Sequence, residues 1–168
     1  LSLIIKGKGG ERKFTHHKDL DITSYDLLEH KIFVFKPDLI INAAAYTQVE
    51  KAEFESSLAF KVNGNGPGYL AKVCSLLEVP LIHLSTDYVF DGKKKGFYKE
   101  TDQVNPINIY GRSKWFGEEA VRNNSNKYII IRTSNVFGQY GHNFVKTMLK
   151  IGRKKTISMV NDLSSCPT

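Results

Sequence analysis

Residues 79–90 read VPLIHLSTDYVF. A short apolar run opens behind Pro80 and gives way to Ser85, Thr86, Asp87 and Tyr88. A brief continuous apolar run bounded by turn residues is the pattern of a strand buried on both faces, as in a parallel sheet. Two further segments repeat it. Residues 38–46, DLIINAAAY, follow Pro37, and residues 127–137 read KYIIIRTSNVF. Helix-like stretches lie between them, and no hairpin signal links them. The spacing predicts an α/β protein with a Rossmann-like, doubly wound parallel sheet, incomplete in this chain and covered by helices on both faces. In such sheets ligands sit beyond the carboxyl ends of the strands. That rule singles out NAAAY, STDYVF and RTSNVF.

Outward from these strands, RKFTHH (12–17) reads as a short strand and 23–35 as a helix with Thr23 or Ser24 as its cap. Residues 56–78 have helical spacing with a Gly/Pro-rich interruption at 64–68. Residues 91–106 are loop by composition, 108–124 and 141–154 helix, and 155–162 a short strand. The whole chain, 1–168, is read as one incomplete nucleotide-binding domain. It begins at Leu1 rather than Met and stops at Pro167-Thr168 without a closing element, so it reads as a piece of a longer protein.

The totals narrow the function classes. No apolar run approaches the ~20 residues that span a bilayer, and no long apolar leader with a cleavage site opens the chain. The net charge is +7, but the basic residues are scattered, with short clusters at 93–95 and 153–155. A diffuse excess with no recognition motif suits a solvated face or a small anionic ligand rather than nucleic acid. Cys74 and Cys166 match no metal spacing and read as reduced thiols of a cytoplasmic protein. No residue is assigned to a metal, and no nucleic acid or membrane is expected as partner.

Four groups carry chemistry. Tyr110 and Lys114 in NIYGRSKWFGEE are i and i+4, one turn apart on one helix face. A lysine held positive there favours the phenolate and lowers the tyrosine's pKa, and such a phenol can protonate a carbonyl oxygen as hydride reaches its carbon. The bland alternative is a solvated helix face. Ser85-Thr86 ends a buried strand, where a hydroxyl can support the same oxygen or merely satisfy backbone groups. Ala43, Ala44 and Ala45 leave room for another molecule against the backbone, with Asn42 fixing the turn, or simply pack closely. Asp21-Ile22 can meet an adenine amino group, or Asp21 can serve a helix N-terminus.

LIINAAAYTQVEKAE, HLSTDYVFDG, NPINIYGRSKWFGEEAV and IIIRTSNVFGQYGHNFVKTML, taken in this order, resemble the dTDP-4-dehydrorhamnose reductase family of the extended short-chain dehydrogenase/reductases. The likeness runs from about residue 19 to 168. AAAYT.VEKAE and NFVKTML separate this family from sister sugar-nucleotide enzymes. The resemblance implies NADPH-dependent, sometimes NADH-dependent, reduction of the 4-keto group of a dTDP-6-deoxy-hexulose, the last step to dTDP-L-rhamnose for cell-surface polysaccharide. It implies Thr86, Tyr110 and Lys114 as the catalytic triad, with Tyr110 protonating the sugar C4 oxygen and Lys114 holding the nicotinamide ribose. Ala43, Ala44 and Ala45 would line the cofactor, and Asp21 and Ile22 would meet its adenine. Asp87, Tyr88 and Asn135 fall at sugar-facing positions. A homodimer and a family use of Mg2+ are compatible with it. His16, His17 and Lys18 stand where a 2′-phosphate would lie, which favours NADPH.

The chain also departs from that family. A glycine-rich turn at a helix N-terminus should cradle the pyrophosphate. Here Lys6-Gly7-Lys8-Gly9-Gly10 lies only ten residues before Asp21, against a spacing of about 20, so the cluster reads as a loop and the phosphate-binding unit as absent. Asn135 stands where the family carries an aromatic residue, and Leu163 and Ser165 where it carries Gln and Gly. The substrate lobe is expected beyond this chain, and this length alone is not expected to turn over. Two alternatives remain open: a non-catalytic regulatory subunit of the same fold, and a sister epimerase or dehydratase. The second is disfavoured because Tyr88, not a second acid, follows Asp87.

Overall fold

A computed structural model describes residues 3–6, 12–15, 19–141, 143–152, 156, 166 and 168. Among the described residues five strands form one sheet in the order β2-β1-β3-β4-β5, with β1 Leu3–Lys6, β2 Arg12–Thr15, β3 Leu39–Asn42, β4 Leu81–Thr86 and β5 Tyr128–Thr133. β3 and β4 are parallel, with Asn42 opposite His83. β1 is antiparallel to both β2 and β3, so β2 runs the same way as β3 and β4. The parallel α/β sheet read from the sequence is therefore present, but β1 departs from it. Only residues 7–11 join β1 to β2, too few for the dozen or more that a parallel crossover needs. That junction, with its glycine cluster, lies outside the described residues, as do residues 16–18 and nearly all of the strand expected at 155–162.

Helix α1, Tyr25–Phe35, carries the chain from β2 back to β3. It buries Leu28 and Ile32, one turn apart on one face. Lys36 ends it in the left-handed region (φ 49°), donating its N–H to the Ile32 carbonyl at 2.9 Å, and Pro37 prevents continuation. Short helices α2 (Val49–Ala52) and α3 (Ser56–Phe60) follow β3.

The interruption expected at 64–68 does not occur. Lys61–Asn65 form a π-helical turn that runs straight into α4, Gly66–Leu76. Pro67 lies in the first turn of α4, where a missing N–H costs least. The wider π turn accommodates a residue that cannot donate to the carbonyl four places back. Helix α5 spans Ile109–Asn124.

The core is built from Leu28, Ile32, Ile40, Leu70, Val73, Leu81 and Val121, so α1, α4 and α5 share one face of the sheet. Coverage of both faces was expected. On β5, Ile130 packs on this core, while Ile129 and Ile131 on the opposite side are exposed. The chain divides into two compact units, Leu1–Arg132 and Thr133–Thr168. In the second, α6 spans Phe144–Ile151, with the Asn143 side chain accepting the Lys146 N–H at 3.1 Å. Among the described residues no helix is long and apolar enough to cross a membrane.

Candidate active site at the carboxyl end of β4

β4 delivers Thr86 at its last residue, and a turn of 3₁₀ helix, 87–89, follows at once. The Thr86 hydroxyl accepts the Tyr88 N–H at 3.2 Å and lies 3.1 Å from the Asp87 carboxylate. Across from it, Asn108 caps α5 by accepting the Gly111 N–H at 2.7 Å, and Glu53 takes the neighbouring Ile109 N–H at 2.8 Å. Tyr110 thus sits in the first turn. Gly111 lies against the Tyr88 carbonyl, where a Cβ would stand 2.2 Å from that oxygen. The close approach brings the rings of Tyr88 and Tyr110 edge to face at 5.5 Å.

The Thr86 hydroxyl lies close enough to the Tyr110 phenol to act on its proton affinity. Burial raises the phenol's pKa, the Thr86 hydroxyl opposes it, and the Asp87 charge adds to the rise. The lowering expected from Lys114 is not realised: burial dominates, and the one group that lowers the phenol's pKa is Thr86. The result is a phenol that keeps its proton at neutral pH. Lys114 is almost fully buried and donates to the Leu84 carbonyl at 2.6 Å. Burial depresses its pKa to about 8, with the Glu118 carboxylate pulling the other way.

The floor of the site is the turn after β3. Asn42 Oδ1 accepts the Ala44 N–H at 3.0 Å, which holds Ala43–Ala45 against the end of the sheet. Asn63, in the π turn, clamps the same segment. Its amide oxygen accepts the Tyr46 N–H at 2.7 Å, and its NH₂ donates to the Tyr46 carbonyl and to Ser113 of α5, each at 3.0 Å.

Behind the site lies a buried ionic network that the sequence reading missed. Glu118 is one turn past Lys114 and fully buried. It accepts Ser85 Oγ at 2.6 Å, Arg132 through two bonds at 2.9 and 2.7 Å, and Arg122 at 2.9 Å. Burial pushes its carboxyl pKa up, but these partners together hold it below the ordinary value. The i+4 continuation from Tyr110 through Lys114 to Glu118 was the available signal. Asn63 was hidden in the stretch taken for a break, and His83 inside an apolar strand.

Thr86, Asp87, Tyr88, Tyr110 and Lys114 therefore gather in one place, with Ala43–Ala45 on the adjoining strand end. Asp21 and Ile22 are engaged locally. The Asp21 carboxylate accepts the N–H and hydroxyl of Thr23 at 2.9 and 2.8 Å, and Ile22 is buried beside Gly66. Asn135 belongs to the second unit, where its carbonyl accepts the Thr168 N–H at 3.1 Å. Leu163 and Ser165 lie outside the described residues. No group of three or more His, Cys, Asp or Glu able to hold a metal occurs among the described residues. The site does suit a dinucleotide: three alanines present only methyl groups at a strand end, and Lys114 spends one of its three donors on Leu84.

Residues 2–168 match the family described as the RmlD substrate binding domain. The chain is 50% identical over 151 residues to a dTDP-4-dehydrorhamnose reductase of Aggregatibacter actinomycetemcomitans, covering 89% of this chain and 51% of that protein. It is 40% identical over 152 residues to the spore coat polysaccharide biosynthesis protein SpsK of Bacillus subtilis, covering 90% and 54%. Among solved structures, the dTDP-4-dehydrorhamnose reductase of Bacillus anthracis in complex with NADP superposes with a TM-score of 0.82 at 42% identity, over 84% of this chain and 50% of that one. The chain spans about half the length of the curated relatives it matches.

Proposed function

The chain belongs to the RmlD substrate-binding-domain family, and on that premise we propose that the protein carrying it reduces the 4-keto group of dTDP-4-dehydro-6-deoxy-L-mannose to dTDP-L-rhamnose. The observation that carries this reading is the half-buried Tyr110 phenol, within reach of the Thr86 hydroxyl and one helical turn from the buried Lys114. NADPH, when bound, supplies the hydride that goes to C4. Tyr110 gives its proton to the C4 oxygen, so that the carbonyl gains one hydride and one proton and becomes an alcohol. The Thr86 hydroxyl donates to the same oxygen as negative charge develops on it. Lys114, anchored on the Leu84 carbonyl, turns its remaining donors to the ribose hydroxyls and keeps a positive charge beside the phenol. Ala43–Ala45 form the floor against which the cofactor lies, and Asp87 and Tyr88 border the sugar. Asp21, Ile22 and Asn135 remain assigned to adenine and sugar contacts in the intact protein. A cytoplasmic location and a homodimer go with this reading.

The pattern after Thr86 favours reduction over dehydration. Asp87 is followed by Tyr88, whose ring packs on Tyr110, so no second acid stands there to withdraw a proton from the sugar.

The direct test uses the intact protein, NADPH and dTDP-4-dehydro-6-deoxy-L-mannose. Oxidation of NADPH that depends on the keto sugar and yields dTDP-L-rhamnose is expected. Binding of NADPH without turnover of any 4-keto sugar nucleotide would instead identify a regulatory subunit and overturn the proposal.

A further inference from the structure

His83 and Asn42 face each other directly across the parallel pair β3–β4. Both are fully buried. The Asn42 amide nitrogen lies 3.1 Å from Nδ1 of His83, while its oxygen accepts the Ala44 N–H at 3.0 Å. Elementary donor and acceptor rules then fix every group. A backbone N–H requires an acceptor, so Asn42 presents its oxygen to Ala44. Its NH₂ therefore points at His83, and a donor there requires Nδ1 to be a lone pair. The single ring proton is left on Nε2.

That Nε2–H is buried without a hydrogen-bond partner among the described residues. An unpaired buried donor costs on the order of 1–3 kcal/mol, which an apolar side chain in β4 would avoid. The compensating contact is the one at Nδ1. We propose that His83 is a positioning residue, whose neutral imidazole locks the Asn42 amide in the one orientation that holds the Ala43–Ala45 turn for the cofactor. The proposal rests on the cofactor reading of that turn given above.

The surroundings keep the ring neutral. Burial drives the His83 pKa down to about 3, and the Lys114 ammonium on α5 adds to the shift. From the same helix, Glu118 offers no counter-charge, being taken up by Arg122, Arg132 and Ser85. A second ring proton would set Nδ1–H against the Asn42 NH₂. The amide would then flip and withdraw its oxygen from Ala44.

Three measurements on the intact protein test this. Nitrogen-15 NMR of the histidine side chains should show His83 with its proton on Nε2 at neutral pH. A proton on Nδ1 would overturn the proposal. His83→Leu removes the acceptor, whereas His83→Asn places an amide oxygen near the position of Nδ1. Exchange of the Ala44 amide hydrogen should be at least about tenfold faster in the leucine variant than in the wild type, and near the wild-type rate in the asparagine variant. The NADPH dissociation constant, read by fluorescence, should follow the same pattern: weakened about tenfold by leucine, within about threefold for asparagine. Unchanged exchange and binding in His83→Leu, or equal loss in both variants, would overturn it. If the wild type itself bound no NADPH, the functional reading would fail, and the exchange rates and the tautomer would still decide the role of His83.

Discussion

The Cα of Gly117 lies so close to the carbonyl of Asn63 that a Cβ there would stand 2.0 Å from its oxygen. Helix α5 is pressed onto the π turn at this point. The same contact zone holds the Asn63 side chain between Tyr46 and Ser113, so the register of α5 against the floor of the site depends on it. Gly117→Ala must push backbone from backbone, and a destabilisation of about 1–3 kcal/mol is expected in urea unfolding. Gly138, in the second unit, has nothing within 4 Å of an added Cβ. Gly138→Ala should be neutral or stabilising by up to about 1 kcal/mol. A Gly117→Ala protein as stable as its parent would refute the close packing.

Arg132 and Glu118 set the second prediction. The carboxylate is fully buried, and Arg132 supplies two of its bonds. Arg132→Met keeps the apolar stem and deletes the charge, leaving the carboxylate under-compensated. A loss of about 3 kcal/mol is expected. The Glu118→Gln, Arg132→Met double variant removes the charge on both sides and should recover part of that loss, which a double-mutant cycle reads directly. Additive losses would show that the two groups do not act as a pair.

The pH dependence of stability follows from His83, Glu118 and Lys114. The folded His83 resists protonation down to about 3, while an unfolded chain protonates near 6.5. Between those values the unfolded state binds more protons, so stability is complete above pH 6.5 and falls as pH drops toward 3, by about 1.4 kcal/mol per pH unit from this group. Glu118, whose pKa is held below the ordinary carboxyl value of 4.5, adds a further loss as pH falls below that value. Lys114 works at the alkaline end. Its folded pKa is about 8 against 10.5, so stability rises with pH across that interval. Urea midpoints from pH 4 to 7 should show a steep acid limb that His83→Leu flattens. An equally steep limb in that variant would contradict the shift.

How much of this was legible beforehand depended on whether the deciding force was local. The strands at 39–42, 81–86 and 128–133 were readable because buried parallel strands must be apolar runs. Tyr110 and Lys114 were readable because helical periodicity alone places them on one face. The strand at 3–6 was not legible, because its antiparallel place beside β3 is set by a five-residue junction too short to cross over. The π turn was missed because glycine and proline signal breaks by composition, whereas here Gly64 and Gly66 admit the side chains of Phe116 and Ile22. Glu118 and His83 were missed because charged and polar residues read as exposed until their partners are known. Those partners, Arg132 and Asn42, come from other elements, and tertiary structure alone brings them together. The pKa of Tyr110 turned out opposite to expectation for the same reason, since burial is a property of the fold rather than of the Tyr-x-x-x-Lys spacing.

The account stands on Tyr110 as the group that delivers a proton to the C4 oxygen, and Tyr110→Phe in the intact protein tests it most directly. The substitution keeps the ring against Tyr88 and removes one hydroxyl. With saturating keto sugar nucleotide, kcat should fall by about 10²–10⁴-fold while the NADPH dissociation constant stays within about threefold of wild type. Turnover within a few-fold of wild type, with cofactor binding intact, would contradict the assignment.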